Sequence, residues 1–213
     1  MLKIYNKCLK NSSSLLLIVL LSFFVNKGIL AQNINYSIIA GSNFCQIDGD
    51  QMAGYNKLGY RFGVGAFVSL NKKDQLGMEI TYTIKGSRTA NNPDNPPLVI
   101  VRYNYAYAEV PIYYQKAIKG FNIKLGLAPA YLVNGRADLG FGYQKQNNLK
   151  KFDLSSILGA NIKLSNQIYF YMHYQYSILN IIDKQKPQFS TFIRNGVYNN
   201  IISAGLTYQI TQQ

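Results

Sequence analysis

Leu76-Gly77-Met78-Glu79-Ile80-Thr81-Tyr82-Thr83-Ile84 sets a large apolar or aromatic side chain at every second position, with glycine, a carboxylate and threonines between them. A period of two describes a strand with two unlike faces, whereas a helix would repeat every three to four residues. Ile168-Tyr169-Phe170-Tyr171-Met172-His173-Tyr174 has the same character. Working outward from these runs, the chain divides into eight strands: Ile34 to Asn43, Leu58 to Leu70, Gln75 to Gly86, Arg102 to Gln115, Phe121 to Val133, Lys151 to Leu164, Gln167 to Ile181 and Tyr198 to Ile210. The fold expected is an all-β, eight-stranded antiparallel up-and-down barrel, in which closure removes every sheet edge.

The connections alternate in kind. Asn71 to Asp74, Lys116 to Gly120 and Ser165-Asn166 are short turns. Phe44 to Lys57, Ser87 to Val101, Asn134 to Lys150 and Ile182 to Val197 are long, polar and rich in Gly, Asn or Pro. Short turns on one rim and long loops on the other are the pattern of a transmembrane barrel, and each strand has the roughly nine to eleven residues needed to cross a bilayer at a tilt.

The two faces set the orientation. Tyr60, Phe62, Val64, Ala66, Val68 and Leu70 share one side of their strand, opposite Arg61, Gly63, Gly65, Phe67 and Ser69. Leu154, Leu158, Ala160 and Ile162 are likewise sorted from Asp153, Ser155, Gly159, Asn161 and Lys163. The polar face is rich in small residues and poor in charge, which suits a cramped lumen better than a solvated exterior. The apolar face is continuous and bulky, as a lipid-facing wall must be. The reading is polar in, apolar out.

The N-terminus reads as an export signal. Lys3, Lys7 and Lys10 precede an apolar run from Leu15 to Val25, and Gly28-Ile29-Leu30-Ala31-Gln32 places cleavage after Ala31, although Ile29 stands where a small residue is usual. A basic start, a short apolar core and a small residue before a polar one describe a secretory signal over residues 1–31, followed by one barrel domain over 32–213. The formal charge of +13 falls to +9 when Lys3, Lys7, Lys10 and Lys27 leave with the signal. The remaining lysines lie largely in turns (Lys72, Lys73, Lys116, Lys119) and loops (Lys145, Lys150, Lys151, Lys184, Lys186). They form no stripe interleaved with stacking aromatics, so nucleic acid is not an expected partner. Tryptophan is absent, so an interfacial belt must be built from Tyr and Phe. Cys8 belongs to the signal, and Cys45, alone after it, reads as a small side chain near the end of the first strand.

An eight-stranded barrel is just wide enough inside to be filled by side chains. The lumenal face carries Arg61, Lys85, Lys124 and Lys163 with Glu79, Glu109, Asp153 and His173. Glu79, Glu109 and Lys124 lie on consecutive strands toward the short-turn rim and are expected to form an ion-paired cluster, because buried charges persist only when paired and hydrogen-bonded. Arg61 and Asp153, nearer the long-loop rim, are expected to meet across the lumen. His173 is the only histidine, and Ser177 shares its face. Four residues along a strand span about 13 Å, too far for a Ser–His hydrogen bond, which leaves Ser155 or Ser203 as partners from neighbouring strands. A structural lumenal histidine is the expectation; a lipid-modifying enzyme using His173 and a narrow pore are the alternatives.

Asp48-Gly49-Asp50 with Asn43 offers oxygen ligands of the kind calcium takes, but lacks the rest of an EF-hand loop and reads as a turn. Pro93-Asp94-Asn95-Pro96-Pro97 stiffens the second long loop. No metal or cofactor is expected. At the C-terminus, Gly205, Tyr208 and Ile210 have the spacing of the terminal-strand signal read by the outer-membrane assembly machinery, with Ile210 where an aromatic is preferred.

Gly41-Ser42-Asn43-Phe44 followed by Asp48-Gly49-Asp50, then Tyr60-Arg61-Phe62-Gly63-Val64-Gly65, Glu109-Val110-Pro111, Gly126 to Pro129, Asp153 and Gly159 occur in an order and spacing that resembles the PorT-like outer-membrane β-barrel family of Bacteroidetes-type bacteria. Cys45 stands where that family more often has a serine-like residue. The resemblance implies a small barrel in the outer membrane of a Gram-negative bacterium. The name-giving member is associated with protein secretion, while most relatives have no assigned activity. The expected function is therefore a structural or interaction protein rather than an enzyme. Its expected partners are outer-membrane lipid, the barrel-assembly machinery during insertion, and an envelope protein met through the long loops, where binding on a rigid scaffold usually resides.

Overall fold

Alternation along the chain closes into a ring of antiparallel strands. The computed structural model describes residues 34–91, 93–94, 96–183 and 196–210, so the signal reading of 1–31 lies outside the described residues. The elements are β1 (Ile34–Asp48), β2 (Lys57–Ser69), β3 (Asp74–Arg88), β4 (Arg102–Glu109), β5 (Ile112–Ile118), β6 (Phe121–Asp138), β7 (Tyr143–Lys145), β8 (Phe152–Lys163), β9 (Ile168–Ser177) and β10 (Tyr198–Ile210).

The expected fourth strand is two elements, β4 and β5, broken at Val110-Pro111, where proline has no N–H to give to the ladder. The course nevertheless stays seated between its neighbours. The Glu79 amide donates to the Pro111 carbonyl and the Val110 amide to the Pro129 carbonyl, each at 2.9 Å. With β4 and β5 as one strand and the short β7 set aside, eight strands complete the circuit. β10 returns to β1 in antiparallel register from Tyr36↔Ile210 to Asp48↔Tyr198. Every strand thus has two neighbours, which is the condition for a sheet to survive in lipid.

The faces are those of a membrane barrel. Ile80 and Leu125 are 57% and 59% exposed, while their lumenal chain neighbours Glu79 and Lys124 are buried. Tyr60, Phe62 and Tyr82 cluster on the outer wall, and the exposed Tyr174 stacks on Tyr176 at 6.2 Å, which in turn packs on the buried Tyr198 at 6.0 Å. These rings supply the belt that the missing tryptophan left to tyrosine and phenylalanine. Inside, glycines make room for large neighbours. Tyr113 lies in register with Gly77 on one side and Gly126 on the other. A Cβ on Gly77 would come within 2.5 Å of the Tyr113 hydroxyl, and one on Gly126 within 2.8 Å of the Tyr113 Cβ.

β1, β3 and β6 run further toward the long-loop rim than the sequence predicts, whereas β9 ends at Ser177, short of the expected Ile181. β1 continues past Asn43 to Asp48 because alternation persists, with Phe44 outward and Cys45 and Ile47 buried. β6 continues through Asn134-Gly135-Arg136-Ala137-Asp138, a stretch of loop-like composition, because β4 pairs with it on one side and β7 on the other. A register shift between Ala106 and Tyr107 leaves Val133 as the extra residue of a β-bulge. Beyond it Ala137 is buried and Arg136 exposed, the reverse of the even-inward pattern of Lys124, Ala128, Ala130 and Leu132. The extension has an apolar core of its own, in which Ile47, Tyr105, Tyr107, Ala130 and Leu132 pack with Leu149 and Ile181 from the loops. The lumen is therefore not polar throughout, as the sequence reading expects, but capped by apolar side chains at its long-loop end.

Candidate functional site

Three layers of polar side chains fill the barrel below that cap. Nearest the short turns, Asn161 Nδ2 donates to Gln115 Oε1 at 2.6 Å and Gln115 Nε2 to Gln75 Oε1 at 3.0 Å. In the middle, Glu79 is held by two cations, with Arg61 on one carboxylate oxygen and Lys124 Nζ on the other at 2.5 Å. Lys124 also stands over the Tyr113 ring, 3.8 Å from its centroid. His173 Nε2 faces Arg61 Nη1 at 3.2 Å, and its ring stacks on Tyr171 at 5.4 Å. Because guanidinium only donates, that imidazole nitrogen is the acceptor.

The third layer centres on Lys85, whose Nζ lies 2.6 Å from Glu109 Oε1 and 3.5 Å from Asp153 Oδ2. Glu109 also accepts from Thr83 Oγ1 at 2.9 Å and Gln175 Nε2 at 3.0 Å. Asp153 accepts from Ser177 Oγ at 2.9 Å and Asn199 Nδ2 at 3.1 Å. Three cations thus meet three carboxylates in the middle and third layers. The side chains of Lys85 and Glu109 have 0% of their surface open to water. Such burial is tolerable because each charge has an opposite charge, and Glu109 and Asp153 take further hydrogen bonds from neutral side chains. A water column cannot pass the pair without exposing it.

Of the eight lumenal residues read from sequence, the fold brings seven together: Arg61, Glu79, Lys85, Glu109, Lys124, Asp153 and His173. Lys163 is the exception, exposed at the end of β8 where the strand leaves the lumen for the short-turn rim. Two pairings also differ. Arg61 turns to Glu79 on the adjacent strand rather than across to Asp153, and Glu109 joins Lys85 rather than Lys124. The stagger of tilted strands puts side chains at one height that lie at different distances along their strands. Arg61, for example, is in register with Thr83 yet reaches Glu79. Gln175, Thr83 and Asn199 join this network and follow from strand parity; Leu149 and Ile181 join the cap and do not, Leu149 because it lies in a loop and Ile181 because the strand expected to reach it ends at Ser177.

Among the described residues, no serine reaches His173. Ser177 and Ser155 donate to Asp153, and Ser203 donates to Asn43 Oδ1 at 2.6 Å. The oxygen ligands of the calcium alternative also separate. Asp48 binds the outward Asn200, Asp50 binds Ser87, and Asn43 points into the lumen, around the turn that Gly49 makes at φ +91°. Burial in that loop pushes the Asp50 carboxyl above its ordinary range, against hydrogen bonds from Ser87 and the Met52 amide. Gly205, Tyr208 and Ile210 lie on the closing strand β10, with Gly205 against Gly41 and the Ala40 carbonyl and the two large residues outward.

A closed antiparallel ring, apolar outside and filled with paired charge inside, defines a small outer-membrane barrel. The chain belongs to the family described as outer membrane protein beta-barrel domain, whose model matches residues 30–183. Its fold is similar to that of Neisserial surface protein A (NspA), at 13% identity and a TM-score of 0.51, over 82% of this chain and 96% of that one. It is similar too to Ail, the attachment invasion locus protein of Yersinia pestis, crystallised with the heparin analogue sucrose octasulfate, at 13% identity and a TM-score of 0.50, over 84% and 99% of the two chains. At that identity the likeness speaks for the fold alone. No curated protein matches the chain. The outer membrane of a Gram-negative bacterium is its location.

Proposed function

We propose that this barrel is a PorT-like structural and interaction protein, without enzymatic or channel activity, that presents its long loops to another component of the envelope. The observation that carries the reading is the filled lumen. Lys85, Glu109 and Asp153 are paired and buried under an apolar cap, so transport would require breaking a neutralised network. The geometry around His173, hydrogen-bonded to Arg61 instead of a serine, supports a structural role for the only histidine. What remains free to act is the long-loop rim, built on strands that rise past the membrane on a rigid base. The partner in this reading is an envelope protein, and the role is accessory to an envelope or secretion machine. Outer-membrane lipid surrounds the wall, and the Gly205, Tyr208 and Ile210 face of β10 addresses the assembly machinery during insertion.

The test is cross-linking capture from outer membranes with the intact barrel and with loop-exchanged variants, in parallel with planar-bilayer recordings of the purified protein. The expected result is a discrete envelope partner lost on loop exchange, with silent bilayers. Steady ion conductance, or capture indifferent to the loops, would contradict it.

A further inference from the structure

The bulge on β6 also reshapes the outer wall of the barrel. Beyond Val133 the even-numbered residues of β6 turn outward, which aligns four strands into two rows on the outer wall. One row runs Arg88↔Arg102↔Asp138↔Tyr143. The next runs Gly86↔Asn104↔Arg136↔Lys145. Four cations are thereby gathered on one patch of β3, β4, β6 and β7. Arg88 and Arg102 stand directly opposite each other, a like-charge pairing that costs stability unless an anion shares them. Among the described residues, Asp138 is the one carboxylate in ion-pair reach of these four, 3.9 Å from Arg102. Its Oδ1 is already committed to the Gly140 and Gly142 amides at 3.0 Å each.

The height of the patch identifies its ligand class. An apolar band about 25 Å tall, crossed at a tilt of about 40°, takes roughly ten residues of strand. On β3 the lipid-exposed series begins at Leu76 and continues through Met78 and Ile80, with the Tyr82 ring in the aromatic cluster above them. Ten residues from Leu76 end at Lys85, so Arg88 and Arg102 stand at the headgroup level on the long-loop side, which in such barrels is the cell exterior. A cationic patch that faces sideways into the outer leaflet, not upward into solvent, meets headgroups first. Guanidinium forks match phosphate oxygens in pairs.

We propose that Arg88, Arg102, Arg136 and Lys145 form a binding site for the phosphate groups of an outer-leaflet glycolipid. The lipid's acyl chains lie along the apolar wall below, and its phosphates take the anion position between Arg88 and Arg102 and beside Arg136.

The test uses the purified full-length barrel in zwitterionic detergent, titrated with diphosphoryl lipid A, its dephosphorylated counterpart, inorganic pyrophosphate and heparin, with retained ligand counted by native mass spectrometry. The wild type should retain the diphosphoryl lipid in clear preference to the dephosphorylated form. Removing one charge should weaken retention about fivefold, and the triple variant Arg88→Gln, Arg102→Gln, Arg136→Gln on the order of a hundredfold. The control Lys73→Gln, Lys116→Gln at the opposite rim should leave it unchanged, and the corresponding triple Arg→Lys variant, which keeps the charge but loses the paired guanidinium geometry, should fall between the wild type and the triple Arg→Gln variant. Should the triple variant not give a folded, heat-modifiable band, the three single variants carry the test, and full retention by all of them overturns the site. It is also overturned by equal retention of the dephosphorylated lipid, by pyrophosphate bound as well as the lipid, or by arginine-dependent heparin binding without arginine-dependent lipid binding.

Discussion

Replacing Lys85 by methionine isolates the energetics of the filled lumen. The ammonium neutralises Glu109 at 2.6 Å and Asp153 at 3.5 Å, with all three side chains at most 1% exposed. At an effective dielectric constant of about 20 these attractions are about 6 and about 5 kcal/mol before desolvation is counted. Losing the cation also recovers the cost of burying it, and the carboxylates keep their bonds from Thr83, Gln175, Ser177 and Asn199. The net loss expected is therefore about 3–5 kcal/mol, the usual cost of leaving a buried charge without its partner. Lys85→Met with Glu109→Gln removes one orphaned charge and should recover about 2 kcal/mol, within the range of coupling energies between contacting residues. The assay is urea unfolding in detergent micelles, followed by the heat-modifiable gel shift and by tyrosine fluorescence, since the chain has no tryptophan. A loss below about 1 kcal/mol for Lys85→Met, or no recovery in the double variant, would refute the claim that these charges are held dry and paired.

Gly77→Ala drives a methyl into the Tyr113 ring and should cost about 1–3 kcal/mol in the same unfolding assay, with the cost largely removed in a Tyr113→Ser background. Gly205→Val sets a branched side chain against the Ala40 carbonyl and Gly41 at the β1–β10 closure, and should lower the folded fraction on refolding into liposomes, read as the heat-modified band. Planar bilayers holding the wild type should stay silent, while Lys85→Ala with Glu109→Ala should give small, flickering conductance as water enters the third layer; silence from both would mean that the apolar cap alone seals the barrel. His173→Ala should leave any lipid acyl-transfer or deacylation signal at the wild-type background, and a signal that collapses on this change would establish an enzyme.

The wall of the barrel was legible because its physics is local. On β2, β8 and β10, parity alone assigns Arg61, Asp153 and Ser203 to the inside and Phe62, Leu158 and Leu206 to the outside, and lipid enforces the same rule along the length of each span. The network was legible as a set but not as pairs. Arg61 finds Glu79, and Glu109 finds Lys85, through a stagger that is a property of the closed ring and of no single strand. Lys163 has the correct parity, yet β8 ends before the lumen encloses it. The apolar cap was out of reach because Ile47 and Leu149 sit in segments whose composition reads as loop, and because Ile181, expected to continue a strand, lies beyond its end at Ser177. The upper half of β6 was equally hidden, since Asn134-Gly135-Arg136 becomes strand only by pairing with β4 and β7. The bulge at Val133 then reverses the parity that a sequence reading would extend.

Cysteine-scanning spin labelling of residues 78–83 in a Cys45→Ser background, with the folded barrel in liposomes, tests whether the barrel is apolar outside and filled inside. Power saturation by oxygen and by a water-soluble nickel complex reports lipid and water exposure at each position. Labels at 78, 80 and 82 should be open to oxygen and closed to nickel, and labels at 79, 81 and 83 closed to both. Nickel access at the odd positions would mean a water-filled pore, and nickel access at the even positions would mean that the apolar face does not meet lipid.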